Sequence, residues 1–271
     1  MPESSDLSLL SDAARAAGDI ALGYWRKSPE SWEKAAGAGP VSEADLAVNR
    51  MLLAELRAAR PDYGWLSEET PDSPDRLLRD RVFIIDPIDG TRAFIDGTPD
   101  FSHSLAVAER GRVIAAAVFL PAQDRLYSAE TGSVSQLNGV PVTVSDKVEA
   151  QDATLLTARP NLGPDHWRGG QPPPFRRMFR SSLAWRMCLV AEGAFDAMLT
   201  LRPTWEWDVA AGTLIAEQAG ALVSDRRGLS PRFNGATARL DGLIAAPAAL
   251  HRAILAGLLP ATPLEQPPAL A

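Results

Sequence analysis

One cysteine, three histidines and no long apolar run narrow the chemistry open to this 271-residue chain before any motif is considered. Cys188, being alone, cannot form an intrachain disulfide, and zinc sites built on several thiolates are excluded with it. Such sparing thiol use fits a reducing cytoplasm. His103, His166 and His251 are widely spaced and form no HExxH pattern. A bound metal would therefore need carboxylate ligands, which favours Mg²⁺, Mn²⁺ or Ca²⁺. No stretch of about 18 apolar residues occurs, so no transmembrane helix is expected. Met1 to Leu10 holds Glu3 and Asp6 and no basic segment, which argues against a secretory signal. Positive charge is also short: 27 Lys and Arg against 34 Asp and Glu leave a net charge of −7. A global basic field for nucleic acid is absent. The short clusters Arg176-Arg177-Arg180 and Arg226-Arg227 read as solvated faces. A phosphate ester can still bind an acidic protein where metal ions reverse the local sign.

What remains is an ordinary globular composition, 46% hydrophobic and 23% charged. It is enough for one large domain or for two lobes sharing a cleft. Apolar spacing predicts a helix over Leu7 to Trp25, and Lys27 to Pro40 reads as a loop. A second helix is expected from Ser42, with Asp45 three residues on as a capping partner and Leu46, Leu53 and Leu56 as its stripe. Strands are expected at Arg81 to Asp86, His103 to Glu109, Val113 to Leu120 and Leu126 to Ala129, with turns at Arg110-Gly111 and Asn138-Gly139. Thr154 to Ala158 reads as a strand opening a second lobe, and Pro160 to Pro174 as a surface loop. Helices are predicted over Leu183 to Glu192, Asp208 to Ala219 and Pro247 to Leu259, and strands over Phe195 to Leu201, Leu222 to Ser224 and Leu243 to Ala245. The proline-rich tail after Pro260 is expected to fray. Intermixed helices and strands indicate an α/β or α+β class with layered sheets.

The segment richest in chemistry is Asp86-Pro87-Ile88-Asp89-Gly90-Thr91, where a buried strand ends. Two carboxylates three residues apart on a tight turn can converge on one divalent cation, with the Ile88 carbonyl pointing the same way. Gly90 permits close backbone approach, and Thr91 can cap a helix whose free N–H groups face an anion. Read alone, the same stretch is also compatible with an Asx-type turn carrying two solvated acids. Glu68-Glu69 alone is a solvated acidic pair, Asp208 alone is an N-cap, and Asp45 alone complements a helix dipole. Cys188, inside an apolar helical run, reads as core.

Taken together and in order, Pro40-Val41-Ser42-Glu43-Ala44-Asp45, Ser67-Glu68-Glu69, Asp86 to Thr91 and Trp207-Asp208-Val209-Ala210-Ala211 resemble the motifs of the inositol monophosphatase superfamily. Leu137-Asn138-Gly139-Val140-Pro141-Val142 resembles that family's hairpin between lobes, and the likeness runs from about Leu7 to Leu259. The resemblance implies an α+β fold, a layered αβαβα sandwich with an N-terminal lobe over residues 1–145, a C-terminal lobe over 146–271 and the active site between them. It implies a phosphomonoester hydrolase using two to three Mg²⁺ ions and sensitive to Li⁺. Glu68, Asp86 and the Ile88 carbonyl would hold a first ion. Asp86, Asp89 and Asp208 would hold a second, with Glu68 supporting a third through water. Asp45 and Thr91 would orient and deprotonate the attacking water, and the N–H groups of Gly90 and Thr91 would hold the phosphate. The implied partner is a small phosphorylated metabolite, with neither nucleic acid nor membrane, in a chain whose relatives often form homodimers.

Within the superfamily, inositol-cleaving members usually carry Thr and then Asn-Phe after the DGT motif, where this chain has Arg92, Ala93 and Phe94. A basic residue there, and the element Glu206-Trp207-Asp208, resemble the bacterial 3′-phosphoadenosine 5′-phosphate phosphatase (CysQ) branch. Inositol binders also place a Glu seven residues before the last metal Asp, where this chain has Leu201 followed by Arg202. Ser182 and Arg186 fall where the family contacts substrate, although the nucleotidase branch more often has Lys at the second position. Trp185 and Arg186 can flank a base or sugar. The favoured expectation is removal of the 3′-phosphate from 3′-phosphoadenosine 5′-phosphate. The alternatives are an inositol or sugar phosphate phosphatase and a metal-dependent phospholigand-binding protein.

Overall fold

The computed structural model describes residues 5–34 and 39–260. Helix α1 (Asp6–Tyr24) begins at Ser5, whose hydroxyl accepts from the Ser8 N–H, and buries Leu10, Ala13, Ala14, Ala17 and Ala21 at helical spacing. Strands β1 (Ser31–Glu33) and β2 (Pro40–Ser42) form a small antiparallel ribbon where the sequence reads as a loop. Its short strands carry no alternating run long enough to signal extended structure. Helix α2 (Glu43–Ala59) follows at once. Its buried stripe is Ala44, Val48, Leu52 and Leu56, so the expected Leu46 and Leu53 sit at its margins, only half-buried.

The first sheet has seven strands in order β3 (Gly64–Ser67), β4 (Arg81–Asp89), β5 (Ser102–Glu109), β6 (Arg112–Leu120), β7 (Arg125–Glu130), β8 (Gln136–Leu137) and β9 (Val140–Pro141). β3 runs parallel to β4, and the remainder is an antiparallel meander. The short α3 (Thr91–Ile95) leaves the end of β4. The second sheet has order β11 (Arg176–Met178), β10 (Thr154–Thr157), β12 (Ala197–Trp205), β14 (Arg239–Pro247) and β13 (Ala221–Ser224). Helices α4 (Leu183–Ala191), α5 (Glu206–Gln218) and α6 (Ala248–Gly257) complete the chain. β12 and β14 both extend well beyond the apolar cores that announce them.

Period-two alternation decides the layering. Phe83, Ile85, Leu105, Val107, Ala117 and Phe119 face α1 and α2, whereas Ile84, Ala106, Val118 and Leu120 face α4 and α5. The other side of α4 and α5 meets Leu156, Met198, Leu243 and Ala245 of the second sheet. α6 covers that sheet's far face against Leu155, Leu199, Ile244 and Ala246. The result is an α+β sandwich in five layers, α–β–α–β–α. Because α4 and α5 are shared, one apolar core joins residues from both halves of the chain. Buried near 25 cal/mol per Å², such a shared middle layer couples the two sheets strongly. The expected surface loop at 160–174 contains 3₁₀ turns and a buried Trp167, whose indole N–H donates to the Asn161 carbonyl at 2.9 Å. The tail expected to fray lies outside the described residues. Among those residues no helix is long and apolar enough to cross a membrane.

Candidate active site

β4 delivers the first two acids. It continues past Asp86 as extended chain, and its register against β5 slips between Asp86 and Asp89, which face Ser104 and Ser102. Pro87 and Ile88 thus bulge opposite His103, whose Nδ1 lies 2.5 Å from the Pro87 carbonyl. Gly90 ends the turn at φ +100°, and a Cβ there would stand 2.9 Å from the Asp100 carbonyl, so only glycine fits.

The acids foreseen separately gather around this turn. Asp86 is 1% exposed, and among the described residues its Oδ1 has no hydrogen-bond partner. Burial raises its carboxyl well above the usual range, and the nearby charges of Glu68, Asp89, Asp208 and Asp45 raise it further. Asp89 is pushed up to about 6 by burial, against the pull of hydrogen bonds donated by Ser182 Oγ at 2.6 Å and the Ala184 N–H at 2.7 Å. Asp208 is raised well above its ordinary value by burial and by Asp89 and Glu68. It is not the helix cap: Trp205 occupies that position, and Asp208 lies in the first turn of α5, because the helix begins at Glu206.

Asp45 sits in the first turn of α2, 1% exposed. Its Oδ2 accepts from the Ser42 N–H at 2.9 Å and from the Ser42 hydroxyl. Its Oδ1 is 3.1 Å from Thr91 Oγ1, which also lies 3.1 Å from the Ile88 carbonyl. Burial pushes the Asp45 carboxyl up to about 6. Glu68 accepts from Lys34 Nζ at 2.7 Å, and the same ammonium reaches Glu69, whose carboxyl burial raises to about 7.

The structure also relocates some expected substrate contacts. Ser182 is fully buried at the N-cap of α4. Its hydroxyl donates to Asp89, accepts from the Trp185 N–H at 2.9 Å and lies 2.9 Å from Ser102 Oγ. It therefore holds an acid in place. Trp185 belongs to the core. Arg186 is 7% exposed, pinned by donating to the carbonyls of Arg180 at 2.6 Å and Ser181 at 3.4 Å, with its guanidinium 4.3 Å above the Phe179 ring. Burial lowers it to about 10 against the pull of Asp89 and Asp208. Arg92 is exposed on α3 and lines a groove of about 450 Å³ with Trp32, Glu33, Ile95 and Asp96. Lys34, His103 and Ser102 escaped the sequence reading. An isolated Lys in a loop and polar residues in an apolar strand give no periodic signal.

Among the described residues, no three His, Cys, Asp or Glu side chains stand close enough together to hold a metal ion as they lie. The donor set nonetheless fits a hard cation. It is all oxygen, its charges raise one another's carboxyls, and Asp86 keeps a buried oxygen that no protein donor satisfies.

Comparison with known proteins agrees with this architecture. Residues 4–262 match the profile of the inositol monophosphatase family. An inositol-1-monophosphatase from Rhizobium meliloti is 36% identical over 197 residues, covering 69% of this chain and 73% of that protein. A histidinol-phosphatase from Chlorobaculum parvum is 32% identical over 262 residues, covering 93% and 96%. The structure of the Thermotoga maritima IMPase superimposes with a TM-score of 0.79 at 29% identity, over 93% of this chain and 94% of that one. Fold, ordered motifs and profile agree that the chain belongs to the inositol monophosphatase family and, with it, to the metal-dependent phosphoric monoester hydrolases.

Proposed function

We propose that this protein is a cytoplasmic, Mg²⁺-dependent phosphatase of small metabolites and that its substrate is 3′-phosphoadenosine 5′-phosphate, cleaved at the 3′-phosphate. The observation that carries the catalytic reading is the Asp45–Thr91 hydrogen bond beside the Asp86–Asp89 turn. Glu68, Asp86, the Ile88 carbonyl, Asp89 and Asp208 would hold the metal ions. When bound, Mg²⁺ neutralises the phosphate dianion, lowers the pKa of water and stabilises the leaving alkoxide.

The chain's own groups do the rest. Asp45 is fixed through Oδ2 by Ser42, which leaves Oδ1 to face Thr91. The Thr91 oxygen accepts a proton from an attacking water as its own hydroxyl proton passes to Asp45. A carboxyl near 6 is mostly ionised at neutral pH and still basic enough for that task. The N–H groups of Gly90 and Thr91, at the start of α3, bind the phosphate oxygens. Ser182 and the Ala184 N–H keep Asp89 oriented.

The substrate assignment draws on Leu201 and Arg186. Leu201 is 2% exposed within the core below the second sheet and cannot accept hydrogen bonds from a polyol ring. Arg186 makes no carboxylate ion pair among the described residues and offers positive charge beside Asp89 and Asp208. The second reading, an inositol or sugar phosphate phosphatase, is favoured by the names of the relatives. Phosphate release from 3′-phosphoadenosine 5′-phosphate, inositol 1-phosphate, histidinol phosphate and fructose 1,6-bisphosphate separates the two. The adenosine bisphosphate is expected to show the highest kcat/KM, with Li⁺ inhibiting. A preference for inositol 1-phosphate transfers the site to the second reading, and turnover in excess chelator overturns the metal assignment.

A further inference from the structure

We propose that Arg202 is a specificity-determining residue that recognises a second phosphoryl group on the substrate. The inference deepens the reading of the cleft as a phosphatase for a bisphosphorylated metabolite and rests on it.

The argument starts from a bulge in β12. Thr200 pairs with Leu243 and Pro203 with Asp241, so two residues, Leu201 and Arg202, stand opposite the single Gly242. A bulge of this kind re-aims a side chain, and bulges concentrate next to active sites. Here it is fastened on three sides. The Leu201 N–H donates to Asn161 Oδ1 at 3.1 Å, and Arg226 Nη1 donates to the Leu201 carbonyl at 2.9 Å. Gly242 takes φ +69°, and a Cβ there would lie 2.5 Å from the Thr200 carbonyl. Leu201 turns into the core, and Arg202 is thrown outward and exposed.

The direction of that exposure matters. Arg202 lies within electrostatic reach of Asp208 on α5 and of Arg186 on α4, while Arg186 is itself in reach of Asp89 and Asp208. Among the described residues Arg202 makes no ion pair, and its side chain donates no hydrogen bond. Its carbonyl accepts from Thr204 Oγ1 at 3.0 Å. Two guanidinium groups that repel each other, neither neutralised by a paired carboxylate, therefore flank the acidic cluster. An anion held between them would relieve that repulsion. A phosphate suits this best, because guanidinium donors match its oxygens two at a time. The phosphate being hydrolysed faces the acids and their metal ions, so the group that Arg202 meets is a second one, carried by the leaving group.

The test measures steady-state kinetics with Mg²⁺ on two matched pairs: 3′-phosphoadenosine 5′-phosphate against adenosine 3′-phosphate, and fructose 1,6-bisphosphate against fructose 1-phosphate. The wild-type protein is expected to prefer the bisphosphate in at least one pair. In Arg202→Ala that preference should fall at least tenfold, carried by KM rather than kcat, and Arg202→Lys should restore part of it. The thermal midpoint and the Mg²⁺ concentration for half-saturation are read in parallel. An Arg202→Ala protein that keeps the wild-type preference overturns the role of Arg202 and leaves the substrate reading standing. Equal loss of kcat on both members of a pair, or a shifted Mg²⁺ requirement, assigns Arg202 to the support of Asp208 and overturns its role as well. A wild-type protein with no preference for the bisphosphate in either pair overturns both the inference and the reading beneath it.

Discussion

Replacing Asp86 by Asn should make the metal-free protein more stable and the metal-loaded protein less so. Asp86 is 1% exposed, its Oδ1 lacks a partner, and its charge faces four other acids. Asparagine keeps the shape, removes the charge and offers N–H donors to the surrounding carboxylates. Relieving an unsatisfied buried charged group is worth roughly 1–3 kcal/mol. At about 2–4 °C per kcal/mol for a chain of this size, the midpoint in chelator at pH 8 should rise by roughly 2–12 °C. The sign with pH follows from the raised carboxyl. A group whose folded pKa exceeds its unfolded value favours the fold below the unfolded pKa, and that support is lost as pH rises through the folded pKa. The variant's advantage should therefore shrink as the buffer is taken down toward pH 4. Metal reverses the comparison. At 1,000 times Kd a ligand bound only by the native state adds about 4.1 kcal/mol, which the wild type gains and the variant forgoes. Thermal unfolding of both proteins, in chelator and in saturating Mg²⁺, should give curves that exchange order. A variant that melts below wild type in chelator and gains the same increment from Mg²⁺ would refute the placement of Asp86 at the centre of the acidic cluster.

Three further outcomes are expected. Ser182→Ala removes the 2.6 Å donor to Asp89 and should raise the Mg²⁺ concentration for half-maximal activity by roughly 10–100-fold, while substrate KM at saturating metal moves little. Gly90→Ala puts a Cβ 2.9 Å from the Asp100 carbonyl at φ +100°, so phosphatase activity should be lost together with at least ~1 kcal/mol of stability, read by denaturant unfolding. His103 is fully buried, and burial lowers its imidazole to about 4, so it favours the fold above pH 6.5 and that support is lost as pH falls from 6.5 through 4. The loss amounts to about 3 kcal/mol at most, and His103→Val should flatten this part of the stability–pH curve.

Local patterns carried the layout of the protein further than they carried the site. The meander from β5 to β7 was legible because buried apolar strands bounded by Arg110-Gly111 leave few other solutions. The β1–β2 ribbon was not, since three-residue strands hold no period, and with it went Lys34, the cation that meets Glu68 and Glu69. Asp86, Asp89 and Asp208 stood out through their motifs, yet the partners that distinguish them did not. Ser182 looked like a substrate contact because its position in the motif order says nothing of direction. Only the packing of α4 between the sheets turns its hydroxyl onto Asp89. Arg202 passed without a role because a bulge is a property of two paired strands, and its determinant, Gly242, lies on the other one.

Asp45 and Asp86 show how one residue type is divided between two tasks. Both are 1% exposed, and burial raises both. Asp45 receives two donors from Ser42 on one oxygen and lies against the Thr91 hydroxyl with the other, so its charge is partly compensated and its carboxyl settles near 6. A proton can be taken up and released there near neutral pH without moving the chain. Among the described residues no donor reaches Asp86 Oδ1, and the side chain faces acids on several sides, so a divalent cation satisfies it well. On the proposed mechanism the division is required. A base must exchange its proton in every turnover, whereas a ligand must not, and hydrogen bonds supplied by Ser42 to one acid and withheld from the other are sufficient to separate them.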